Sequence, residues 1–142
     1  MDEKHDDGAQ KECEERIPGK KTGLSHLFAA TSYSFQGLKA AFCGEAAFRH
    51  DLLLVAFQTI LVFVLPLGWV NRMVLVCLGL GLLTTELLNS GLEAIVDLVS
   101  PQWNPLAKRA KDMGSAAVFC MLTAIGVAWA MTLAGLLLPV AE

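Results

Sequence analysis

Glu86, Asn89, Glu93 and Asp97 stand at offsets of 0, 3, 7 and 11 in and beside one apolar segment. At about 100° per residue they fall within one narrow stripe of a helix. That stripe runs for about 16 Å along the axis, at 1.5 Å per residue. A carboxylate at membrane depth costs roughly 2.5–3.5 kcal/mol on insertion scales, so it calls for a chemical reason. The long uncharged runs 52–71, 73–85 and 113–141 contain no Lys, Arg or His. Three acidic groups without basic partners in the apolar core point to a bound cation, shared protons, or both. Mg²⁺ is typically held by one or two carboxylates plus substrate phosphates. The structural alternative is that the stripe pairs with polar residues of neighbouring helices and holds an assembly together. Glu45 adds a carboxylate among Ala40, Ala41, Phe42, Ala46, Ala47 and Phe48. An interfacial Glu by itself is ordinarily just solvated. It gains weight only if its helix lies against the stripe.

The elements that must position these groups follow from the charge pattern. Of the 142 residues, 54% are hydrophobic and 18% charged, against about 25% charged in average soluble domains. Residues 1–21 hold 12 of the 25 charges. A membrane helix needs about 20 mostly apolar residues. The first and third uncharged runs meet that outright. The second meets it if Glu86 and Glu93 are tolerated within or near the bilayer. Lipid leaves every backbone group to be paired internally, so the segments are expected to be helical. We expect an all-α membrane protein with spans at about 51–70, 72–96 and 113–139. No cleavable signal peptide is expected, because the N-terminus is acidic and polar.

Before the first span, Leu24, Leu27, Phe28, Thr31, Phe35, Leu38 and Phe42 recur at 3–4 residue spacing. That is an amphipathic helix over about 24–49. It is expected to lie in the headgroup layer; the alternative is a soluble-type helix capping the bundle. Residues 1–22 read as a disordered charged tail, and 23–142 as one membrane domain. Lys20, Lys21, Lys39 and Arg49 precede the first span, and Lys108, Arg109 and Lys111 follow the second, with only Arg72 between them. The positive-inside rule puts the N-terminus and the 97–112 loop in the cytoplasm and the C-terminus on the far side. Gly126, Ala130 and Ala134 give small-xxx-small spacing, which lets membrane helices approach. So few elements can hardly enclose a site alone, so an oligomer is expected.

Other chemistries are excluded. A net charge of −3 and a pI near 5.6 offer nothing to nucleic acid. Cys13, Cys43, Cys77 and Cys120 are more than 20 residues apart, which argues against a zinc or redox site. Gly19-Lys20-Lys21 lacks P-loop spacing, and Gly79-x-Gly81 follows no strand. Phosphate chemistry would have to use a carboxylate-held metal and Lys111.

Four runs carry a family resemblance. Glu86-Leu-Leu-Asn89-Ser90-Gly-Leu-Glu93-Ala-Ile-Val-Asp97 is followed by Ala110-Lys111-Asp112-Met113-Gly114-Ser115-Ala-Ala. With Glu45-Ala-Ala-Phe48-Arg49 and Tyr33-Ser34-x-x-Gly37-Leu38, they resemble the prokaryotic diacylglycerol kinase family over about residues 23–140. The resemblance implies a homotrimeric helical bundle of three-span subunits with a surface helix, in the bacterial inner membrane. It implies active sites shared between subunits and transfer of the γ-phosphate of ATP to diacylglycerol, giving phosphatidic acid. By position, Glu86 would be the general base, and Glu45 and Glu93 would hold Mg²⁺. Tyr33, Asn89, Lys111 and Asp112 would line the ATP or reaction site, with Gln102, Trp103, Asn104 and His26 near the nucleotide. Lys39, Arg49, Asp51, Arg72 and Ser115 would contact the lipid, together with His26, Tyr33 and Glu86. A lipid hydroxyl needs a base within hydrogen-bond reach, which suits Glu86. Phosphoryl transfer otherwise needs positioning and charge neutralisation.

Three positions depart from the family pattern: His26 replaces a frequent Arg, Asp51 a Glu, and Asn104 a frequent His. A sister branch phosphorylates undecaprenol. The stretch from Asp97 to Lys108 looks like that branch. Glu45-Ala-Ala-Phe48-Arg49 and Met113-Gly-Ser115-Ala look like the diacylglycerol branch, which we take as the expectation. A non-enzymatic oligomer whose acidic stripe lines an ion or proton path is the alternative of another class.

Overall fold

The computed structural model describes residues 24–138. The expected tail over 1–22 lies outside the described residues, as does the side chain of His26. Four helices follow in order: α1 (Leu24–Gly44), α2 (Ala46–Val64), α3 (Trp69–Val99) and α4 (Pro105–Leu137). No strand occurs among the described residues. Helices α2, α3 and α4 are each long and apolar enough to cross a membrane.

Their ends have local causes. One helix was expected over 24–49; two are found, divided at Glu45. Glu45 takes an extended backbone (φ −108°, ψ 117°) between α1 and α2, and its side chain makes no cap bond. Arg49 holds the break together: its Nη1 donates to the carbonyls of Phe42 (3.0 Å) and Cys43 (3.3 Å). A cation is favourable at those last carbonyls of α1. Helix α2 stops at Val64, earlier than the expected end near 70, because Pro66 pushes Leu65 into the extended region (φ −77°, ψ 148°). Helix α4 starts at Pro105, eight residues before the expected span. Asn104 Oδ1 caps it by accepting from the Leu106 N–H at 2.8 Å, and a proline at N1 is preset for a helix start.

Gly37 marks the boundary between two units of the chain. The first contributes the opening turns of α1, whose Phe28 and Phe35 are exposed. In the second, α3 is the central element and packs on both α2 and α4. Val55, Leu82 and Ile125 bring the three helices to one cluster. Val62, Leu67 and Leu75 form another near the α2–α3 turn. Between these lies a polar bracket. Gln58 Nε2 donates to the Leu75 carbonyl at 2.7 Å, and Gln58 Oε1 accepts from Trp129 Nε1 at 3.3 Å. Gly79 makes room for it, since a Cβ there would stand 2.6 Å from Gln58 Nε2.

Only 11–22% of the most apolar window of each spanning helix is buried within the chain. The rest of that surface has no partner inside one copy, as expected for a chain solvated by lipid or by further copies. The expected small-residue stripe belongs to that open surface: nothing lies within 4 Å of a Cβ placed at Gly126. Close approach within the chain occurs instead at Gly79, Gly81 and Gly114.

Two of the three apolar helices are longer than a bilayer core requires. At 1.5 Å per residue, the 31 residues of α3 and the 33 of α4 reach about 46 and 50 Å. A hydrocarbon core is about 30 Å thick. Both helices therefore overhang it, whereas the 19 residues of α2 span about 28 Å.

Candidate active site

Helix α3 supplies the floor of the site. Its stripe places Glu86, Asn89, Ser90 and Glu93 along one pocket, closed by Glu45 and Ala47 at the α1–α2 break and by Ser115 and Val118 of α4. The pocket has a volume of about 250 Å³. Glu86 is only 4% exposed. It makes no hydrogen bond or ion pair among the described residues, and its charged neighbours are the carboxylates of Asp51, Glu93 and Glu45. A carboxylate so placed is free to take a proton from a ligand.

Because the Glu45 side chain does not cap α2, its carboxylate is left for the pocket. Glu93 Oε1 accepts from Asn89 Nδ2 at 3.3 Å. The other end of the Asn89 amide, Oδ1, is buried without a hydrogen-bond partner and lies against Gly114. A Cβ at Gly114 would collide with that oxygen and come within 3.2 Å of Leu92 Cδ2. Gly114 thus lets α4 approach α3 at the pocket.

Cations near the site are already engaged. Lys111 Nζ pairs with Asp97 at 2.6 Å, tying α4 to the end of α3, and Lys108 pairs with Asp112. Asp97 therefore has a basic partner, contrary to the sequence reading of an unpartnered acidic group. The acidic stripe divides into three residues in the pocket and one in an ion pair. Glu45, Glu86 and Glu93 have no ion-pair partner among the described residues.

No three His, Cys, Asp or Glu side chains among the described residues converge on one point as a ready-made metal cage. The donor set fits a hard cation that brings its own further ligands. Glu45 and Glu93 are two oxygen donors on one pocket, and Mg²⁺ takes its remaining ligands from phosphate and water.

The structure gathers Glu45, Glu86, Asn89, Glu93 and Ser115, with Asp51 beside Glu86 and Lys111 one turn beyond Glu93 through Asp97. Gln102 and Trp103 are exposed on the α3–α4 connection, where the Gln102 carbonyl accepts from Ser100 Oγ at 3.1 Å. Asn104 spends its side-chain oxygen on the α4 cap. Tyr33 and Lys39 are exposed on α1. Arg49 is committed to the α1–α2 break. Arg72 is not brought to the pocket. It lies 14 residues before Glu86 on α3, about 21 Å at 1.5 Å per residue, and donates to the Leu65 carbonyl at 3.3 Å. Sequence reasoning missed Ser90, Ala47 and Val118 as pocket walls and Gly114 as the point of close approach. Ser90 lies four residues after Glu86, a visible signal; Gly114 offered none without the partner helix.

Fold and pocket together define a small helical membrane protein with an acidic, oxygen-lined site between its helices. Comparison with known proteins narrows this. The family model described as prokaryotic diacylglycerol kinase matches residues 32–133. The chain is 48% identical to a diacylglycerol kinase of Pseudomonas aeruginosa over 115 residues, covering 81% of this chain and 94% of the relative. It is 42% identical to one of Haemophilus influenzae, covering 78% and 93%, and 35% identical to one of Escherichia coli K12, covering 79% and 92%. The chain belongs to the prokaryotic diacylglycerol kinase family. It is an enzyme, a kinase with membrane-spanning helices.

Proposed function

We propose that the chain transfers the γ-phosphate of ATP to the hydroxyl of diacylglycerol, releasing ADP and phosphatidic acid. The observation that carries this reading is the single pocket that joins Glu86 to Glu45, Asn89, Glu93 and Ser115. Glu86 is the general base: its carboxylate takes the hydroxyl proton as the lipid oxygen bonds to the γ-phosphorus and the bond to ADP breaks. A base in hydrogen-bond reach contributes about 10²–10⁴-fold. Glu45 and Glu93 are the residues that would hold Mg²⁺, which when bound neutralises phosphate charge. Asn89 orients Glu93 through the Nδ2–Oε1 bond. Lys111, paired with Asp97, offers its remaining N–H groups to the phosphates, and Asp112 lines the nucleotide side. Ser115, on the α4 wall, faces the lipid headgroup. A pocket between overhanging helices admits the lipid sideways from the bilayer and ATP from the aqueous face, the cytoplasm in the orientation expected from the Lys and Arg distribution.

The large apolar surface left open by one chain supports assembly with further copies in the inner membrane, and we take the assembly to be a homotrimer with shared sites. The test is phosphate transfer by purified protein in mixed micelles with Mg-ATP, with diacylglycerol and undecaprenol offered side by side. The expected product is phosphatidic acid. Product from undecaprenol alone would move the chain to the sister specificity. No product from either lipid, with protein shown to be folded and oligomeric, would overturn the kinase reading of the pocket.

A further inference from the structure

The pocket holds three carboxylates, yet no ammonium among the described residues is paired with any of them. Two lysines stand close by at the start of α4, and each is bound elsewhere: Lys108 to Asp112 and Lys111 to Asp97. The second pair decides what the pocket can bind. Asp97 and Glu93 are four residues apart on α3, so their side chains are neighbours about 5–6 Å apart at Cβ. A lysine is a flexible point charge on a four-carbon stem. An ammonium that reaches Asp97 is one helical turn from Glu93, and the Glu93 carboxylate acts on it coulombically.

We infer that Asp97 is the positioning residue for Lys111: it holds the ammonium beside the pocket and keeps it off Glu93. Without Asp97 the lysine turns to Glu93, the next carboxylate along the stripe. It then competes with the divalent cation for that oxygen ligand. With Asp97 in place, one N–H of Lys111 is engaged and two remain for phosphate. Asp97 thus separates two positive charges that the reaction needs at once, the lysine and the metal. Its pair with Lys111 is half exposed, with side chains 65% and 35% accessible. Exposed pairs of this kind add little to stability, so the role of this one lies in placement.

This inference rests on the proposed role of Glu93, and the experiment separates the two. Mn²⁺ alone is titrated into the full-length protein in detergent, without nucleotide, and free Mn²⁺ is followed by electron paramagnetic resonance. Asp97→Asn should weaken binding about tenfold, within the range for residues that orient metal ligands. Asp97→Glu, which keeps the charge, should stay within twofold of wild type. The double variant Asp97→Asn/Lys111→Gln should regain the wild-type affinity, because the competing ammonium is gone. A purely structural role for Asp97 would leave the double variant as weak as the single one, and that result would overturn the inference. Affinity that falls with Glu93→Gln but is unchanged by Asp97→Asn would overturn it alone. Affinity indifferent to Glu93→Gln would overturn both the metal role of Glu93 and this inference.

Discussion

The two ends of the helical core treat buried polar groups in opposite ways. At the α2–α3 turn end, Gln58 is 4% exposed, and its amide is used at both atoms, by the Leu75 carbonyl and by Trp129 Nε1. At the pocket end, Glu86 is equally buried and carries no hydrogen bond among the described residues, while Asn89 Oδ1 is buried and unpaired. A satisfied buried network rigidifies; an unsatisfied group costs free energy and needs another explanation. The first arrangement sets the register of three helices. The second leaves the Glu86 carboxylate free for a ligand in the pocket. Burial alone does not separate them, since Gln58 and Glu86 are equally hidden; hydrogen-bond accounting does.

That contrast can be broken by substitution. Glu86→Gln should lower turnover by about 10²–10⁴-fold, the usual contribution of a general base, and leave assembly intact. Gly114→Ala should come next. Its methyl group meets Asn89 Oδ1, so α4 must shift at a cost of about 1–3 kcal/mol; thermal unfolding in detergent checks it, with turnover falling in parallel. Gln58→Leu should destabilise by about 0.6–1.7 kcal/mol, as for hydrogen bonds inside membranes, with turnover per folded molecule unchanged. Lys108→Gln should be smallest, within about 1 kcal/mol, because its pair with Asp112 is 60–63% exposed.

Much of this was legible in the sequence where a single helix carries the information. The spans follow from long uncharged runs, and Glu86, Asn89 and Glu93 share a face because 3.6-residue periodicity puts them there. What depends on two helices was hidden. Lys111 finds Asp97 across the α3–α4 connection, so Asp97 read as an unpartnered acid. Gly114 matters only because Asn89 lies opposite. The small-residue stripe at Gly126 promised close packing, but within one chain it faces open space. Helix ends were partly readable. Asn104-Pro105 is a standard start signal, yet the charges of 108–112 drew attention to the apolar run beyond them. The single extended residue at Glu45 has no breaker beside it except Gly44.

The most direct test measures turnover and thermal midpoint together for Glu86→Gln and Gln58→Leu. The account predicts a crossed result: Glu86→Gln stops phosphate transfer and keeps or raises the midpoint, because a buried charge is removed. Gln58→Leu lowers the midpoint and keeps transfer by the folded fraction. Loss of folding in Glu86→Gln, with transfer surviving in what remains folded, would contradict it.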